Sequence, residues 1–314
     1  MPKKIKICDL EMNQLEDTVL LLLAVEGKTT KNGKPFCTLT LTDGECRINA
    51  NLWNTRPKDL EPFIKTVLWV EITPSMYNGG ISYTVHSYQE APECFHVSDF
   101  VLKAPLPPEQ MYREIVQMLE NVKSDEQSVA GLAIQVYKSF QKKLIYWPAA
   151  KSVHHNVYAG LLYHTLYIMK SATAMAGVYH LDMELLLAGA ALHDIGKLVE
   201  LDSDELGAAT YSIDGNLFGH TLLGIELINK FNAGNQYDPE QIRQLKHMIA
   251  SHHGKLEYGA ITQPATPEAF LLSQLDLIDA RIYNFNEAYK SQEAGTVAEQ
   301  GAFALDGVRP YKPL

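Results

Sequence analysis

The chain has 314 residues, of which 46% are hydrophobic and 20% charged, and a formal net charge of −10. That length and balance suit a globular protein of two domains, and the acidic total argues against one that coats nucleic acid, though not against a local grip on a few nucleotides. No uncharged apolar run reaches the ~18 residues of a membrane span. The opening MPKKIKICDLEMNQ has lysines with no apolar stretch behind them, and Cys8, Cys37, Cys46 and Cys94 are scattered without a C-x-x-C pair. The sequence therefore predicts a cytoplasmic chain with free thiols, no secretory signal and no membrane partner.

From about Asp17 to Tyr88 the pattern is β. Phe36 to Leu41 and Cys46 to Leu52 alternate apolar with polar residues, and Thr66 to Thr73 and Ile81 to Val85 are further strands. Turn signals separate them: Lys31-Asn32-Gly33-Lys34, Asp43-Gly44 and Asn78-Gly79-Gly80. Five short strands so spaced predict a small closed or nearly closed barrel over residues 1–98. The proline-rich LKAPLPPEQ marks a linker at 99–108. Beyond it, apolar residues recur at three and four positions. They predict helices at Glu109–Asn121, Ser128–Leu144, Gly160–Tyr179, Met183–Gly196, His220–Phe231, Asp238–His252 and Pro267–Ala288. These define a helical domain at 109–291, and the polar residues 292–314 read as a loose tail or docking arm.

The stretch LLAGAALHDIGKLVEL, Leu186 to Leu201, sets His193 and Asp194 at the end of an apolar helix. A carboxylate buried there needs a partner charge or a metal ion. Nine of the eleven histidines follow residue 150, several at helix ends where side chains from different helices converge. His164, His193, Asp194, His220, His252, His253 and Asp276 offer nitrogen and carboxylate ligands suited to Mn, Fe, Co, Ni or Zn. Two adjacent ions would need about six or seven such ligands. His180 and His247 read as structural histidines.

The ordered series H…HD…H…HH…D, formed by those seven residues, resembles the HD metal-dependent phosphohydrolase superfamily. The phrases HHNVYAGLLYHT, LLAGAALHDIGK, GNLFGHTLLG, IASHHGKLEYG and LIDAR are similar to the YhaM family of 3′–5′ exoribonucleases. Those enzymes join an OB-type domain to an HD domain, so the resemblance extends over nearly the whole chain. It implies an OB-like β-barrel followed by an all-α HD domain. It also implies two divalent ions, manganese foremost, with Asp194 bridging them. His164, His193 and Asp276 would hold one ion, and His220, His252 and His253 the other. Two such ions activate water and stabilise both oxygens of an in-line displacement.

Around this set, Lys197 either contacts the scissile phosphate or is a solvated residue favoured by a helix C-terminus. His154 and His155 either bind phosphate or protonate the leaving oxygen, or else take a surface or capping role. Arg281 either reaches phosphate or pairs with a helix carboxylate. Adjacent helical residues diverge by about 100°, so His252 and His253 share a site only at a frayed helix end. On the barrel, Phe36, Trp53, Tyr77 and Lys34 are candidates for stacking and holding a single strand. Trp69 and Tyr83 are candidates as well, and the alternative for all these aromatics is core packing, with Trp53 or Trp69 simply filling the barrel. Residues 1–100 hold 10 Lys and Arg against 13 Asp and Glu, which limits the barrel to a weak, orienting grip on a single strand; that the strand is RNA, with DNA as a second partner, is what the resemblance implies. Release of 5′-mononucleotides from the 3′ end follows from the resemblance. A nucleotide or cyclic-dinucleotide phosphohydrolase and a non-catalytic single-strand binder are the alternatives. The GYP extension of the cyclic-dinucleotide class is absent after His253, where the sequence reads GKLEYGAITQP. Homo-oligomerisation stays open.

Overall fold

The computed structural model describes residues 4–30, 32–77, 80–150, 157–203, 209–290 and 292–314. The chain divides into two compact units, Met1–Lys103 and Ala104–Leu314.

In the first unit, strands β1 (Glu16–Thr29), β2 (Pro35–Thr42), β3 (Arg47–Trp53), β4 (Val67–Tyr77) and β5 (Gly80–Glu90) close a barrel in the order β1-β2-β3-β5-β4. This is the OB-like barrel expected. Closure depends on β1. Its first half pairs with β4 and its second half with β2, and the register shifts between Leu22 and Ala24. A bulge there bends the strand so that one element turns a barrel corner. The parallel pairing of β3 with β5 completes the ring. Alternation sets the faces: Cys37, Leu39 and Leu41 point inward, while Phe36, Thr38 and Thr40 are only half-buried. Trp69 packs against the small cluster of Val19, Leu21, Val67 and Phe100, and Tyr83 against the barrel core, so both take the structural role. Because Phe100 belongs to that cluster while the Ala104 amide donates to the Tyr158 carbonyl, the residues expected to form one linker are shared between the units.

The second unit contains α1 (Pro108–Val122), α2 (Val129–Leu144), α3 (Gly160–Tyr179), α4 (Met183–Leu192), α5 (Lys197–Glu200), β6 (Leu201–Ser203), β7 (Ala209–Tyr211), α6 (Ile213–Phe231), α7 (Pro239–Ser251) and α8 (Pro267–Lys290). Side chains of Ser128, Asp182, Ser212 and Asp238 accept amide hydrogen bonds that start α2, α4, α6 and α7. Helix α4 is buried from Leu185 to Leu192 and packs against α1, α2, α3, α7 and α8. An all-apolar helix is stable only with neighbours on every side. No helix among the described residues is long and apolar enough to cross a membrane.

Two helices differ from expectation. The segment predicted as Met183–Gly196 stops at Leu192, and His193 to Gly196 form a turn before α5. A Cβ on Gly196 would sit 1.9 Å from the His220 carbonyl, so only glycine lets the α6 backbone cross there. Helix α6 begins seven residues before His220 but breaks at Gly219, whose φ of 69° and ψ of 160° are non-helical. The expected helix is thus the second half of a kinked one. Residues 292–314 are not loose. Strands β8 (Thr296–Val297) and β9 (Tyr311–Lys312) pair. The Lys312 ammonium donates to the carbonyls of Tyr289 and Gln292, 2.7 and 2.8 Å away. Composition left a loose tail and a docking arm both open, because it does not show hydrogen bonds made back onto α8.

Candidate active site

The turn after α4 is the centre of the second unit. His193 caps α4 and is fully buried, and its Nδ1 donates to the Ala190 carbonyl at 2.8 Å. His252 repeats the device at the end of α7, where its Nδ1 donates to the Ile249 carbonyl at 2.7 Å. A carbonyl only accepts, so each Nδ1 carries the proton and each Nε2 presents a lone pair. His164, on α3, has Nδ1 2.7 Å from Asp279 Oδ2. The His220 amide and Nδ1 both donate to Glu200 Oε1, at 2.9 Å each. The Gly219 break frees that amide from the helix ladder, so one carboxylate caps the second half of α6 and orients its first imidazole.

The imidazole and carboxylate groups converge in two sets. His164, His193 and Asp276 have ligand atoms within 4.8 Å of one another, as do His220, His252 and His253. His164 Nε2 lies 3.1 Å from His193 Nε2 and 3.3 Å from Asp276 Oδ1. His220 Nε2 lies 3.2 Å from His253 Nε2. Asp194 stands between the groups. Its Oδ2 faces His164 and His193 at 3.5 and 3.4 Å, and its Oδ1 faces His220 and His252 at 3.4 and 3.7 Å. His252 and His253 face inward together because α7 ends at Ser251.

Asp194 Oδ1, His252 Nε2 and His253 Nδ1 are buried with no hydrogen-bond partner among the described residues. Lone pairs brought together without a donor repel, and burial without a partner is costly. Divalent cations relieve both, and the all-nitrogen-and-oxygen donor set fits them.

The electrostatics agree. Burial alone would raise the Asp194 pKa, but Lys197, His193 and His220 override it and hold the carboxyl well below its usual range. Asp276 is lowered likewise, against burial, by its hydrogen bond with His164. Burial and the neighbouring His253 push His252 well below an ordinary histidine. Burial also lowers His164, yet hydrogen bonds to Asp276 and Asp279 lift it to about 10. Burial opposes the charge on Lys197, and the Asp194 carboxylate raises its pKa in spite of that.

Lys197 is therefore not the solvated helix-end residue. It is 8% exposed, with Nζ 2.6 Å from Asp194 Oδ2. A cavity of about 860 Å³ opens beside the cluster, lined by Asp194, Lys197, His220, His253, Asp276 and Arg281 among others. Arg281 pairs with Asp306, which also lines the cavity, so its partner comes from the C-terminal segment and is not the helix carboxylate expected. His154 and His155 lie outside the described residues. His247 accepts the Ala265 amide at 2.9 Å, as a structural histidine would. Sequence reasoning passed over Glu200 and Asp279. Each stood in a quoted phrase, Glu200 six residues after Asp194 in an apolar run and Asp279 one turn after Asp276 on α8.

On the barrel, Phe36 and Trp53 are register partners on β2 and β3 with ring centroids 4.8 Å apart, and Trp53 is 46% exposed. Lys34 is exposed just before β2. Tyr77, also exposed, is not beside them. It pairs with Gly80 at the β4–β5 turn, and the parallel β3–β5 register carries that turn toward Arg47, the opposite end of β3.

The family model for the HD domain matches residues 161–281, a span that holds all seven residues around the cluster. Residues 161–281 are an HD domain. This is the domain class of metal-dependent phosphohydrolases. Among solved structures, the chain is similar to the second OB-fold domain of replication protein A from Methanococcus maripaludis. The two are 19% identical over 30% of this chain and 100% of that one, with a TM-score of 0.24. It is also similar to RecG bound to a three-way DNA junction, at 17% identity over 63% of this chain and 26% of that one, with a TM-score of 0.26.

Proposed function

We propose that this chain is a metal-dependent 3′–5′ exonuclease that removes 5′-mononucleotides from single-stranded RNA, with single-stranded DNA as a second substrate. The observation that carries the reading is Asp194, whose two oxygens face two separate three-ligand groups. His164, His193 and Asp276 would hold one divalent ion, and His220, His252 and His253 the other. The metal is manganese foremost, with Co, Fe, Zn or Ni compatible with the same donors. Bound there, two ions supply charge stabilisation for a phosphate and a water made acidic enough to attack it.

The chain's own groups do the rest. Glu200 and the Ala190 and Ile249 carbonyls hold the Nδ1 protons of His220, His193 and His252, which keeps each Nε2 lone pair turned inward. Lys197 is buried beside Asp194 and carries a positive charge to a phosphate oxygen approaching the cluster. Arg281, on the cavity wall, offers a second cation. His154 and His155 would bind phosphate or hand a proton to the leaving oxygen. RNA and 3′–5′ polarity rest on the resemblance to the YhaM family. The Phe36–Trp53 pair with Lys34 supports a stacking grip on a single strand, with Tyr77 as a separate contact further along the barrel.

A second reading, a phosphohydrolase for small nucleotides, is favoured by a cavity lined wholly by the Ala104–Leu314 unit. One experiment separates them. Purified protein with Mn²⁺ is given a 5′-labelled single-stranded RNA, beside a 3′-blocked copy and an Asp194→Asn control. A descending ladder from the free 3′ end, absent in both controls, is the expected result. No shortening with any divalent metal removes the exonuclease reading. Hydrolysis of small nucleotides unaffected by deleting residues 1–100 supports the second.

A further inference from the structure

The cavity beside the cluster has two kinds of wall. One end holds Asp194, Lys197, His220 and His253, a charged floor for a phosphate. The rest of the lining is mixed: the apolar Leu201, Leu277 and Ala280 and the aromatic Tyr211 and Tyr258 stand with the polar Arg281, Asn284 and Asp306. Phosphate alone needs no such surface. The two tyrosines are unusual for cavity residues because 45% of Tyr211 and 42% of Tyr258 is exposed.

Each aromatic is tied to the cluster by the backbone. Tyr211 ends β7 and is the register partner of Leu201, the residue after Glu200. The amide of Ser212, next along the chain, donates to the Glu200 carbonyl at 2.9 Å. The same short hairpin therefore places the carboxylate that holds His220 and the ring of Tyr211. Tyr258 lies in a single turn of 3₁₀-helix, Leu256–Tyr258, directly after His252-His253. That turn is closed by Gly259, where an added Cβ would sit 3.3 Å from His253 Nδ1. The Lys255 ammonium stands 5.1 Å from the Tyr258 ring centre, adding a cation at the same rim.

We propose that Tyr211 and Tyr258 form a nucleobase subsite in the helical unit, which holds the terminal base by stacking while its phosphate lies on the charged floor. The subsite takes a nucleoside phosphate rather than a bare phosphate or sugar phosphate. It is sequence-tolerant, because every base presents a π face. This rests on the reading of the cluster as a site that acts on nucleotide phosphates. It assigns base binding to the HD domain itself, in addition to any stacking on the barrel.

The test is equilibrium binding by titration calorimetry, with the full chain supplemented with Mn²⁺ and two probes, adenosine 5′-monophosphate and ribose 5-phosphate. The expected result is binding of the nucleotide on the order of ten-fold tighter than the sugar phosphate. That margin should shrink in Tyr211→Ala and Tyr258→Ala and vanish in the double variant. Tyr211→Phe and Tyr258→Phe should retain it, since stacking needs the ring and not the hydroxyl. Unchanged ribose 5-phosphate binding shows that the Ala variants keep the floor intact. Equal affinity for the two probes, no nucleotide binding, or a margin that survives the double Ala variant overturns the proposal. The outcome is separate from the RNA ladder. A ladder without the margin of nucleotide over sugar phosphate leaves the exonuclease and removes the subsite, whereas that margin without a ladder does the reverse.

Discussion

The two halves of the cluster share Asp194 but are built from different materials. On one side, His164 is wedged between two carboxylates, with Asp276 at 3.3 Å and Asp279 at 2.7 Å. On the other, His220, His252 and His253 have imidazole neighbours, and the supporting carboxylate, Glu200, touches only His220. Burial acts downward on His164, His252 and His253. The carboxylates reverse it at His164, to about 10, while neighbouring imidazoles add to it at His252 and His253. His164 therefore balances its carboxylates with a proton, and His252 and His253 are held toward the neutral form. A cation bound there would replace a proton at His164 and meet open lone pairs at His252 and His253.

The substitution with the largest expected effect acts on what the halves share. Asp194→Asn removes the anion facing both groups, so cleavage should fall by at least about a thousand-fold. Metal content by elemental analysis should drop for both sites together; loss of one ion with retention of the other would show that Asp194 does not couple them. Next come the supporting carboxylates. Glu200→Gln should weaken metal binding at the His220 half and Asp279→Asn at the His164 half, each by about 10–100-fold. Calorimetric titration with Mn²⁺ resolves the two, and a common effect on one site would contradict the division.

The barrel offers a contrast outside the cluster. Trp53→Ala should reduce affinity for a single-stranded oligonucleotide by about ten-fold, read by fluorescence anisotropy. Metal content should stay the same, since the ring is on another unit. The smallest effect is a proton count. A His164 pKa raised to about 10 means the group is protonated at pH 7, and an ion needs its lone pair, so loading that half should release about one proton and tighten as pH rises. His252 and His253, whose pKa values burial already lowers, should contribute almost none. Titrations in buffers of different ionisation enthalpy measure the difference.

Much of the cluster was legible because ligand chemistry resides in residue type, and His193, His252 and His253 stand at helix ends that capping and periodicity mark. The barrel was legible through its alternation and turns, and α4 through its unbroken apolar run. What remained hidden involved groups meeting across long separations. Glu200 is an ordinary charged residue until α6 brings His220 to it, and Asp279 reads as surface until α3 packs on α8. Tyr77 was grouped with Phe36 and Trp53 by residue type, but strand register puts it at the other end of β3.

By itself the sequence determined the order of elements, the inventory of possible ligands and the faces of the strands, because these follow from local spacing and side-chain chemistry. Tertiary structure alone decided which oxygen of Asp194 faces which group. It also set the break in α6 at Gly219 that frees the His220 amide, and laid the C-terminal segment along the cavity wall. The physical reason is that these are matters of close approach between segments distant in the chain. Packing chooses such contacts by shape and charge, and spacing along the chain does not encode them.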